Sequence, residues 1–136
     1  MPNITTVNNL QGASEATAVA TATYNATGSG LAVVTGVADQ TTSTPYTYTT
    51  RKINTLIVAN VGSADAVVSL EFDPDTATGG NEVIFVNAVT IPVGASLDVL
   101  SGPVYVNAGE AIDCFCTGAD VNVLVSYEEI VSSSDN

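Results

Sequence analysis

The stretch Ile91–Phe115, IPVGASLDVLSGPVYVNAGEAIDCF, constrains the fold of this chain more than any other. It reads as a strand end, a Pro-Val-Gly turn, a strand, a Gly-Pro turn, a strand, an Asn-Ala-Gly turn and a further strand. Pro92 and Pro103 suit strand starts or ends, because proline has no N–H to give to a central ladder. Gly94, Gly102 and Gly109 supply backbone freedom where the direction reverses. Closely spaced short strands of this kind belong to a β-sandwich or barrel. Nothing in the stretch is a reaction centre.

The same pattern extends through Arg51–Val131. Ile53–Val61 is a strand that ends in the turn signal Asn60-Val61-Gly62-Ser63. Ala66–Phe72 alternates, with Val68, Leu70 and Phe72 on one face and Ser69 and Glu71 on the other. A polar loop, Asp73–Asn81, leads to the apolar run Val83–Ile91, which reads as partly buried on both faces. Val121–Ile130 puts Val121, Val123, Val125 and Tyr127 on one face, against Asn122, Ser126 and Glu128. The whole suits an all-β, antiparallel β-sandwich of about seven or eight strands. No helix is expected, and residues 132–136 read as a frayed tail.

Residues 1–50 differ. They are rich in Thr, Ala, Asn, Ser and Gly, and read as an extended N-terminal arm rather than a second domain. Glu15–Tyr24 alternates as a strand, with Thr17, Val19, Thr21 and Thr23 on one face and the alanines on the other. Faces of Ala and Thr bury little area at roughly 25 cal/mol per Å², so this strand requires a partner. Asn25–Gly30 is a turn, Leu31–Val37 a second strand, and Asp39–Pro45 a polar loop. Tyr46 and Tyr48 then alternate with Thr47 and Thr49, as at a strand edge.

Charge removes several functions. The chain of 136 residues has 2 Lys+Arg, 14 Asp+Glu and no His, for a formal net charge of −12. Binding to phosphates needs Lys and Arg, and only Arg51 and Lys52 are present, so neither nucleic acid nor an anionic membrane is an expected partner. Only 12% of residues are charged while 46% are hydrophobic, which is not the balance of a disordered chain. The acidity keeps a β-rich surface soluble, or matches a basic partner surface. No segment reaches the ~20 apolar residues of a membrane span. The first ten residues lack the basic and apolar regions of a signal peptide, so use without secretion by that route is expected. Asn3-Ile4-Thr5 and Asn25-Ala26-Thr27 match the glycosylation pattern by accident of a Thr-rich chain.

Without His there is no nucleophilic triad, Cys–His pair or imidazole zinc site. Cys114 and Cys116 flank Phe115 on one strand and share a face with Ile112, so they read as small buried hydrophobes. At i and i+2 their Cβ vectors run parallel, which makes them poor disulfide partners. Paired carboxylates can hydrolyse glycosides, but no aromatic cluster forms a pocket around any pair here. Glu71, Asp73, Asp75 and Glu82 gather around the Asp73–Asn81 loop and form a weak Ca²⁺ candidate. Their spacing is not that of an EF-hand, and turn chemistry in a solvated hairpin loop accounts for them. Arg51 and Lys52 are a surface pair, or anchor the arm or a neighbouring subunit's carboxylate. The expectation is no enzyme, no catalytic residue, no cofactor and no metal.

Four segments carry a resemblance: RKINTLIVANVGSADAVVSL, VTIPVGASLDVL, VYVNAGEAI and VNVLVSYEEI. Their order, spanning about residues 51–130, resembles small β-sandwich virion proteins of tailed bacteriophages. The resemblance implies a jelly-roll-like sandwich and a non-enzymatic structural part, such as a capsid decoration (cement) protein. A neck, tail or fibre component is the alternative, as is a receptor- or carbohydrate-binding module. The implied partners are copies of itself, a trimer being expected, and the major capsid protein or another virion protein. The implied location is the virion, assembled in the host cytoplasm. The Ala/Thr-rich first half departs from the family pattern.

Overall fold

The computed structural model describes residues 6–20 and 30–134, with side chains from residue 11 onward. Both sequons, the turn from Asn25 and the end of the strand expected to reach Tyr24 lie outside the described residues.

Among the described residues there are nine strands and no helix. They are β1 (Thr6–Val19), β2 (Leu31–Thr35), β3 (Tyr46–Asn60), β4 (Ala66–Asp73), β5 (Val83–Ile91), β6 (Ser96–Asp98), β7 (Val104–Val106), β8 (Ala111–Thr117) and β9 (Val121–Ser134). Two antiparallel sheets result. Sheet A runs β1-β9-β3-β6, with β7 also pairing β3; sheet B runs β2-β8-β4-β5.

The core lies between the sheets and follows the alternation of the sequence. Val121, Val123, Val125 and Tyr127 of β9 face Val68 and Leu70 of β4 and Ile112, Cys114 and Cys116 of β8, all in one buried cluster. Each large aliphatic chain sealed there contributes roughly 1.5–3 kcal/mol. β3 changes phase inside the cluster. Ile53, Leu56 and Val58 are all fully buried, which strict alternation forbids, and the register against β9 shifts between Ile53 and Thr55. That bulge leaves Asn54 over and returns Leu56 to the inner face.

The first half of the chain is woven into both sheets. β1 pairs with β9 from Thr6↔Ser133 to Val19↔Val121, so the partner that an Ala/Thr strand requires is supplied by the same chain. β2 pairs with β8 and puts Val33 and Val34 in the core. β3 crosses residue 50 without a break, so the boundary expected there falls inside a strand.

Two further expectations need correction. Val83–Ile91 is not buried on both faces: β5 is the outer strand of sheet B, and of its residues only Ile91 is buried. Its register slips twice against β4, and Ala88 adopts φ 52° beside one slip. Such bulges blunt an edge that would otherwise recruit another strand. Ser132–Ser134, expected in a frayed tail, continue β9 opposite Tyr46–Tyr48, with Ser132 and Ser134 buried.

The Ile91–Phe115 stretch forms the end of β5, then β6, β7 and β8. Gly94 and Gly109 have φ of 73° and 78°, the left-handed region that their turns require. Ala95 N–H closes the first turn on Pro92 O at 3.0 Å, and Glu110 N–H closes the second on Asn107 O at 3.1 Å. Gly102 is not among the glycines of positive φ.

Candidate functional site

Three places hold polar chemistry at or beneath the surface. The first is the loop between β4 and β5, where the Ca²⁺ candidates lie. Asp73 Oδ1 accepts from Asp75 N–H at 2.9 Å, and Asp75 accepts from Ala77 N–H at 3.1 Å and Thr78 Oγ1 at 2.6 Å. Glu82 Oε1 accepts from Gly80 N–H at 2.7 Å. These bonds hold the Asp75 and Glu82 carboxyls below their usual range, Thr78 being the main cause for Asp75 and Gly80 for Glu82. The oxygens are thus engaged in shaping the loop. Among the described residues, no group of three or more His, Cys, Asp or Glu is placed to hold a metal ion.

Glu71 is different. It lies on the outer face of β4, yet is only 5% exposed, and its Oε2 is buried with no hydrogen-bond partner. Directly across the ladder is Asp113 of β8, a residue that sequence reading missed. Residues opposite each other in an antiparallel pair share a face, and like charges so placed repel. Burial pushes the Asp113 carboxyl up to about 6, aided by the charges of Asp73 and Glu82. Glu71 is raised too, first by burial and then by Glu82, Asp113 and Asp73. Alternation placed Glu71 outward; only the β4–β8 register, which is not written in the local pattern, reveals the pair.

Beside this pair lies a cavity of about 270 Å³, lined among others by Val67, Ser69, Ile84, Asn87, Phe115 and Thr117. Ser69↔Phe115 and Val67↔Thr117 are the next pairs on the same face of the β4–β8 ladder, and Ile84 is opposite Glu71 on the β5 side. The carboxylates do not line the cavity but adjoin it, one same-face step along the ladder from Ser69 and Phe115.

The second place is the end of the core nearest Arg51. Its guanidinium bonds Glu129 at 3.0 Å, donates to Thr35 O at 2.8 Å and lies 3.7 Å from Glu15. Lys52 pairs with Glu128 at 3.6 Å. The anchoring of the first half by Arg51, one of the alternatives the sequence allowed, is thus seen within the chain. The third place is the cysteine pair: both are free and buried in the core, as alternation required. Burial pushes the Cys114 thiol up to about 12, and raises Cys116 as well.

The outer face of sheet A carries a shallower groove of about 500 Å³ over Ala16, Ala18, Ile57, Ala59 and Leu124. It mixes small side chains with the larger Ile57 and Leu124, and presents no ionisable group among the residues that line it. Comparison with known proteins found no matching family model, no matching curated protein and no matching solved structure.

Proposed function

We propose that this chain is a non-enzymatic structural protein of a virion, a capsid decoration protein that binds the outside of a shell. The observation that carries the reading is the strand order. If β6 and β7 are counted as one interrupted strand alongside β3, eight strands divide into two four-stranded sheets, and the chain crosses between the sheets at every step except β4 to β5, an order that supports a jelly-roll reading. That architecture, built of two Greek keys, recurs in viral shells and in lectins. The stretches resembling phage virion proteins fall on the turns and ladders of this frame: Asn60–Ser63 at the β3–β4 turn, Ile91–Ser96 at the β5–β6 turn, Asn107–Glu110 at the β7–β8 turn. They are residues that shape a module, and none is recruited to a reaction.

Net charge supports an outward position, because a chain of −12 has no means of neutralising packaged nucleic acid. Association of copies, with a trimer expected, uses the uncharged groove over Ala16, Ala18 and Leu124, where like charge does not oppose contact. Neck, tail or fibre membership fits the same frame, and so does a lectin-like module. The absence of Trp weighs against the last, since sugar rings stack on aromatic faces.

The test is cosedimentation of the intact chain with capsids assembled without it. Saturable binding at a fixed number of copies per capsomer is expected; binding to host cells or glycans with none to capsids sinks the reading. Deleting residues 1–50 is not a usable control, because it removes β1, β2 and the start of β3.

A further inference from the structure

Among the described residues the Glu71–Asp113 pair has no cation to answer it. Both basic side chains of the protein are committed on the other sheet, Arg51 to Glu129 and Lys52 to Glu128. We propose that this pair and the adjoining pocket form a docking site for one basic side chain, lysine or arginine, presented by a partner protein other than a copy of this chain.

Four features lead there. Glu71 Oε2 is buried without a partner, a state that costs about 1–3 kcal/mol, and more for a charged group, until a donor arrives. Two carboxylates are too few for Ca²⁺, which takes roughly six to eight oxygens, but they suit an ammonium or a guanidinium fork. The cavity of about 270 Å³ is smaller than a typical ligand pocket of about 300–1,000 Å³, so it fits one long side chain better than a free small molecule. Its walls, Ile84, Phe115 and Val67, suit the apolar stem of Lys or Arg while the head reaches the carboxylates. A second copy is the poorer donor, because its Arg51 is held by Glu129 and Thr35 O and its Lys52 already pairs with Glu128. The site does not depend on the virion reading; any partner with an unpaired basic side chain at its surface could use it.

The experiment uses the full chain, ¹⁵N-labelled, at pH 7.5 and low salt, with the probe peptide acetyl-Leu-Arg-Leu-amide. Saturable shifts are expected at amides of residues 67–71, 84–87 and 113–117, with a dissociation constant of about a millimolar. They should weaken with added salt, and vanish in the double variant Glu71→Gln, Asp113→Asn. An unaltered response in that variant overturns the proposal. So does an equal response to the Leu-Glu-Leu peptide, or saturation of the same amides by CaCl₂ alone at lower concentration. If the double variant loses its dispersed spectrum, Ser69→Lys decides the matter by placing an ammonium beside Glu71 within the chain. A raised melting temperature with loss of the peptide response supports the site; an unchanged peptide response overturns it. Failure here leaves capsid binding untouched, and failure to bind capsids leaves this result standing.

Discussion

The guanidinium carbon of Arg51 lies 4.8 Å from the centroid of the Tyr127 ring, and the Tyr127 hydroxyl donates to Glu15 at 3.1 Å. With the bonds from Arg51 to Glu129 and to Thr35 O, this joins β1, β2, β3 and β9 at one end of the core. The fork of donors explains why the position needs Arg: one ammonium cannot meet a carboxylate, a carbonyl and a ring face together. Arg51→Met should cost about 2–3 kcal/mol, since it strands Glu129 beside the core. Glu15→Gln should cost under about 1 kcal/mol, its carboxylate being largely solvated. Urea denaturation of the two variants checks the order; equal losses would contradict it.

Asp113 gives the pH dependence an unusual sign. Its folded carboxyl is raised from 3.8 to about 6, so between those values the folded state binds more protons than the unfolded. Stability from this group is therefore lost as pH rises through that window, and stays lower above it. Glu71 acts in the same sense. Asp75 and Glu82, lowered by their loop bonds, act in the opposite sense at lower pH, so the comparison must be with a variant. Asp113→Asn should raise stability at pH 7.5 by about 1 kcal/mol after solvent screening is allowed for, and much less at pH 4. Thermal melts of both proteins at the two pH values measure the difference.

Asn60 is buried and spends its whole amide on the fold. Nδ2 donates to Ala64 O at 2.8 Å and Ile91 O at 2.9 Å, while Oδ1 accepts from Gly62 N–H at 2.9 Å. It thereby fixes the β3–β4 turn against the end of β5. Asn60→Ala should destabilise by about 2–4 kcal/mol, because buried carbonyls lose their donor. A loss below about 0.5 kcal/mol, the range of ordinary surface changes, would show that water replaces the amide.

The thiols should be silent in the native protein. Cys114 is raised to about 12 and both side chains are sealed in the core, so thiolate is scarce and access closed. Ellman's reagent should react with neither cysteine in buffer and with both in denaturant. Prompt reaction of one native thiol would mean that β8 opens locally.

What could be read from the chain was what repeats every two residues. Val121 to Tyr127 and Val68 to Phe72 declared their inner faces, and the Pro92–Gly94 and Asn107–Gly109 turns declared themselves by chemistry. What could not be read depends on partners distant in sequence. Val83–Ile91 is apolar whether it lies central or at an edge, and only the sheet order makes it the edge. Leu56 lies in phase with its neighbours only because Asn54 is bulged. Glu71 and Asp113 are unremarkable alone; the β4–β8 register turns them into a repelling pair.

The place of β9 in sheet A sets the order in which the protein can be made. It is the last of the nine strands among the described residues, yet it is the strand to which both β1 and β3 are joined. On a ribosome, β1 must therefore wait without its ladder until residues 121–134 emerge. Closing so long a loop is slow compared with forming a local hairpin such as β4–β5. Until that moment a strand of fourteen residues lacks its ladder partner and is open to pairing with other nascent chains.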